Sequence, residues 1–93
     1  MNETKTNSLF IQTNLIACDE VSRKEFLKER KEHSYRDSKE DRFSIKGEES
    51  TTIYVTRRNS RGKISKSFKV LFGGKTPTFQ YDLFCAAEQA AAL

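Results

Sequence analysis

The stretch from Thr51 to Gly74, TTIYVTRRNSRGKISKSFKVLFGG, constrains the fold more than any other part of the chain. Two alternating runs flank a polar, glycine-containing turn, the pattern of a β-hairpin with one face against a core. In the first run Ile53 and Val55 fall on one face and Tyr54, Thr56 and Arg58 on the other, because successive strand side chains point to opposite sides of a sheet. In the second, Ile64, Phe68, Val70 and Phe72 share a face interrupted only by Lys66, with Ser65, Ser67, Lys69 and Leu71 opposite. Asn59-Ser60-Arg61-Gly62 supplies the turn: Gly62 is free to take a positive φ, and the Asn59 side chain can bond its own backbone.

The same region concentrates charge. Arg57, Arg58, Arg61, Lys63, Lys66, Lys69 and Lys75 follow one another with no carboxylate between them. Up to residue 41 the chain carries eight Lys/Arg against nine Asp/Glu, and from residue 42 onward nine against four, so the second half holds the whole excess behind the net +4. A field of one sign over so small a surface favours a polyanion, either nucleic acid or an anionic membrane surface.

With 93 residues, 35% of them hydrophobic, the chain makes one small domain with a thin core and little apolar material for a buried pocket. No apolar run approaches the roughly 20 residues that cross a bilayer, and the N-terminus lacks a signal-peptide layout. The expectation is a soluble, cytoplasmic protein that does not engage a membrane. Cys18 and Cys85 allow one bridge at most, which is no disulfide framework, and both are expected to be reduced and packed.

Before the hairpin, Met1 to Asn7 is polar and expected to fray. Ser8 to Cys18 reads as a strand, although its consecutive Leu9, Phe10 and Ile11 also fit a short buried segment. Ser22 and Glu25 have the spacing of a capping box, and Val21 and Phe26 that of a hydrophobic staple, so a helix should start at Arg23 and end near Tyr35. Phe26 and Leu27 are its only large apolar residues, which predicts a helix attached by one turn rather than one at the centre of a core. Arg42 to Lys46 alternates with Phe43 and Ile45 on one side and predicts a further antiparallel strand, joined to the hairpin by a turn at Gly47 to Ser50. Gly73-Gly74 ends the hairpin. Thr76 as N-cap and Pro77 at the first helical position then open a helix with Phe79, Leu83, Ala86, Ala87 and Ala90 along one stripe. The expected fold is α+β: a three-stranded antiparallel sheet packed against a C-terminal amphipathic helix, with an additional N-terminal helix. Residues 1–41 form an N-terminal segment and residues 42–93 the sheet-plus-helix unit.

Catalysis has almost no residues to rest on. The single histidine, His33, sits in a run of charges with no Cys or second His at ligand spacing, and no histidine is placed to activate Cys85. Gly73-Gly74 lacks the remaining signature of a phosphate loop. A non-enzymatic chain without metal or cofactor is expected. The hairpin itself has two readings. Charged strand residues can serve merely to keep an edge from aggregating. Against this, seven cations cluster here with Ser, Thr and Tyr among them, the side chains that bond phosphate oxygens and base edges, and a two-stranded ribbon fits the major groove of DNA.

The order RFSIK, TTIYVTRR, NSRG, KISKSFKVLFGG, TFQYDLFCAAEQAAAL resembles the AP2-like, integrase-type DNA-binding domains of phages and mobile elements, over residues 42–93 only. The resemblance rests on arrangement rather than an invariant motif, and this chain has no Trp in the sheet where many relatives do. It implies a three-stranded sheet laid into the major groove with one helix across its back. The groove-facing set would be Tyr54, Thr56 and Arg58 on one strand and Lys63, Ser65, Ser67 and Lys69 on the next, with Arg57 and Arg61 near the turn. The implied function is non-catalytic binding of duplex DNA by a phage or mobile-element regulatory or accessory protein. Binding of RNA, or of an acidic protein by the basic sheet, are the alternatives.

Overall fold

The computed structural model describes residues 11–33, 42–74 and 80–92. Helical residues 11–14 run into strand β1 (Leu15–Val21), followed by α1 (Arg23–His33), β2 (Arg42–Lys46), β3 (Ser50–Arg58), β4 (Ile64–Gly73) and α2 (Gln80–Ala91). The expected frayed N-terminus, the helix end near Tyr35, Lys75 and the Thr76-Pro77 cap with Phe79 lie outside the described residues.

The fold is α+β, with an antiparallel sheet against the C-terminal helix, but the sheet has four strands rather than three, in the order β1-β4-β3-β2. The additional strand is β1, which pairs with β4 from Leu15 opposite Phe72 to Val21 opposite Ser67. It starts where the expected strand was ending and continues through Asp19 and Glu20. Such residues suit an edge strand, where their charges stay in water. Its register shifts at Ile16. There the side chain lies over Gly73, where a Cβ would come within 2.9 Å of Ile16 Cδ1, so the glycine makes room for the bulge.

The main core lies between the sheet and α2. Ile53 faces Val70, Val55 faces Phe68 and Thr51 faces Phe72 across the β3–β4 ladder, and this face meets Leu83, Phe84, Ala86, Ala87 and Ala90. The alanines of the stripe are almost fully buried because they let the helix backbone come close to the sheet. Two arginines fasten α2. Arg42 pairs with Glu88 at 3.2 Å and lies over the Phe84 ring, while Arg57 Nη2 donates to the Ala91 carbonyl oxygen at 2.8 Å. The second contact places a cation on the exposed carbonyls at the helix C-terminus, where it is favoured.

The opposite face of the sheet is also covered. The α1 start is as expected, with Glu25 N donating to Ser22 Oγ at 3.1 Å and Phe26 N to the Ser22 carbonyl oxygen at 3.0 Å. The helix is more than an attachment, however. Phe26 is fully buried against Phe43 and Tyr54, with Val21 and Ile45 packed alongside, and forms a second core. Phe26 meets Phe43 edge-on with 5.3 Å between centroids, and Phe43 stacks on Tyr54 at 4.7 Å. The sheet is therefore a middle layer between two helices.

Candidate nucleic-acid interface

The β3–β4 hairpin outruns its neighbours. Among the described residues, β2 reaches β3 only as far as Val55 and β1 reaches β4 only as far as Ser67, so residues 56–66 continue as a two-stranded ribbon with neither edge paired to a described flanking strand. The ribbon contains Arg57, Arg58, Arg61, Lys63 and Lys66 and no carboxylate.

Its tip is fixed by the residues expected to make the turn. Asn59 Oδ1 accepts from Arg61 N at 2.9 Å and from Lys63 N at 3.1 Å, and its backbone bonds Lys63 and Gly62. Gly62 has φ of 78°, in the region that favours glycine. Arg58 reaches back to donate to the Gly62 carbonyl oxygen at 2.6 Å, which braces the turn from outside. Arg61 and Lys63 are thus presented from a backbone with little freedom left. Both are exposed, and among the described residues neither makes an ion pair.

The register shifts once within the ribbon. Arg57 opposes Lys66, but Arg58 opposes Ile64, so Ser65 is the extra residue, and its hydroxyl donates to the Arg57 carbonyl oxygen at 3.1 Å. Ile64 was expected to share a face with Phe68. The bulge instead sets it opposite Arg58, a residue of the Tyr54 and Thr56 face by alternation. Arg57 and Lys66 lie on the α2 face as a like-charge pair, which costs stability when left uncompensated. They splay apart. Arg57 turns to Ala91 and to the Phe68 ring, 5.6 Å from its centroid, while Lys66 turns to Glu20 of β1 at 3.6 Å.

The expected groove-facing residues therefore divide. Arg57, Arg58, Arg61, Lys63 and Ser65 gather on the exposed ribbon, with Thr56 half-buried at its base. Lys69 is exposed but lies further down the sheet, flanked by Tyr54 on β3 and Asp19 on β1. Tyr54 and Ser67 are each only 3% exposed, so they do not face a groove. Alternation put them on the correct face, but α1 occupies that face. Burial, and then the Glu29 and Glu25 carboxylates, push the Tyr54 phenol above its usual range, surroundings that would repel a phosphate. Ser67 accepts a long bond from Arg23 Nη1 at 3.5 Å.

Arg23 was not among the candidates. It lies over the Phe26 ring, 4.6 Å from its centroid, at the start of α1, where it borders an open cleft of about 290 Å³ with Ser22, Ile64, Ser65 and Lys66. Its position beside the ribbon depends on β1 and α1 folding back over β4, which nothing local announces. Elsewhere, His33 Nε2 lies 3.4 Å from Glu29 and 3.9 Å from Glu32 on the exposed end of α1, the geometry of a surface ion pair. Cys18 and Cys85 are half-buried free thiols, and burial, then Asp19, push the Cys18 thiol above its usual range, away from nucleophilic reactivity. No helix is long and apolar enough to cross a membrane among the described residues. Comparisons with protein families, with curated proteins and with solved structures found nothing that matches this chain.

Proposed function

We propose that the chain binds duplex DNA without catalysis, and that it does so through the ribbon of residues 56–66 rather than through the flat of the sheet. The observation that carries this reading is the overhang itself. Five cations and no acid stand on a segment extending past both flanking strands, where they are held by a braced turn. Lys and Arg bind DNA chiefly by neutralising phosphates and releasing their counterions. A rigid, protruding carrier lets several cations reach one backbone without ordering a loop.

The test is an anisotropy titration of a labelled duplex across salt concentrations. If about five phosphates are neutralised, log K falls against log salt with a slope near −4.5, or roughly 500-fold between 50 and 200 mM. Arg61→Ala with Lys63→Ala should reduce the slope by about 1.8. Absence of binding at low salt refutes the proposal and leaves an acidic protein as the partner to test.

A further inference from the structure

The ribbon carries its cations on both faces and at its end, and this says how it meets its partner. Arg57 and Lys66 stand on the α2 face, Arg58 on the α1 face, and Arg61 and Lys63 belong to the turn. Behind the ribbon each face of the sheet is covered by a helix, so neither face can lie flat on a duplex. The approach left open is end-on. We propose that the ribbon enters the major groove of B-form DNA tip-first, with cations of its two faces meeting the phosphates of the two opposing strands and Arg61 reaching the floor. This rests on the DNA-binding reading above.

The dimensions agree. A sheet layer with its side chains is about 10 Å thick, and the major groove is about 12 Å wide, whereas the minor groove at about 6 Å is too narrow. Thr56 to Arg58 at about 3.4 Å per residue projects about 10 Å before the turn, against a groove depth of about 8.5 Å. The floor is therefore within reach of the turn while the wall cations stay level with the phosphates. A-form RNA has a deep, narrow major groove that side chains do not enter, so duplex RNA should fit poorly.

The experiment uses the full chain with a labelled duplex DNA, the same duplex filled with methyl green in the major groove or netropsin in the minor, and a matching RNA duplex. Methyl green should weaken binding by about tenfold or more and netropsin should not, while the RNA duplex should bind about tenfold weaker. Arg58→Gln and Lys66→Gln, one from each face, should each lower the salt slope by about one. Thr56→Glu, on the same face as Arg58, replaces Arg58→Gln should that variant fail to fold, and should weaken binding by repulsion. Displacement by netropsin rather than methyl green, equal affinity for RNA, or an effect confined to one face overturns tip-first insertion while DNA binding stands. No binding to any nucleic acid overturns the function proposed above and the insertion with it.

Discussion

Replacing Phe26 with alanine asks whether α1 belongs to the cooperative structure or merely rests on it. The ring is fully buried and contacts two aromatic rings edge-on, Phe43 at 5.3 Å and Tyr54 at 6.0 Å between centroids. Truncating a buried Phe costs about 3–5 kcal/mol, a figure that includes the cavity left behind. A chain of 93 residues has about 5–14 kcal/mol of total stability at ordinary values per residue, so the substitution should remove about a fifth of it or more. Leu27 is the control. It is the next residue of the same helix but is 39% exposed, and Leu27→Ala should cost under about 1 kcal/mol. Urea unfolding followed by far-UV circular dichroism and by tyrosine fluorescence reads both, since the chain has no Trp and Tyr54 belongs to the Phe26 cluster. A Phe26→Ala midpoint matching that of Leu27→Ala would refute the second core and return α1 to the status of an attachment.

Two further outcomes follow from the turn and from the same aromatic cluster. A Cβ at Gly62 would meet nothing within 4 Å, so Gly62→Ala should cost only the strain of its positive φ, about 1–2 kcal/mol by chemical denaturation, with the fold unchanged. Because the folded-state pKa of Tyr54 is raised from 10.0, the neutral phenol's contribution is complete below that pH and is lost as pH rises through the folded value. Tyr54→Phe should therefore flatten alkaline unfolding above pH 10, while the loss from Cys18, which begins above pH 9.0, persists in both proteins.

The parts legible in the sequence were those whose signals are local. The hairpin had a period of two and a turn with Asn59 and Gly62 at the positions that need them, and α1 announced its start through Ser22 and Glu25. The α2 stripe survives at Leu83, Ala86, Ala87 and Ala90. β1 was misplaced because its partner, β4, lies about fifty residues downstream, and because Asp19 and Glu20 break the apolar run that strand reading relies on. Those two acids make sense only beside β4, where Asp19 opposes Lys69 and Glu20 pairs with Lys66. The covered face was harder still. Alternation sorts side chains into two faces but is silent on what lies over each. The signal that was available was the aromatic content of the supposedly polar face, since Phe43 and Tyr54 together with Phe26 are more apolar surface than a groove-facing sheet would leave exposed.

That correction also weighs against edge protection as the reason for the basic hairpin. β3 and β4 are the two central strands, and the edges of the sheet are β1 and β2, so most of the hairpin has no edge to blunt. Open edges return only where the ribbon overhangs, and that is where the charge lies. One lysine on each short edge would suffice there. Instead Arg57 and Lys66 stand directly opposite, an arrangement that sheets disfavour, and the fold offsets it by drawing Arg57 toward α2 and Lys66 toward β1. Folding alone gives no reason to place like charges opposite one another and then part them. A polyanion does, because phosphates along the two edges of the ribbon would be met by cations already held apart, Arg57 beside α2 and Lys66 beside β1.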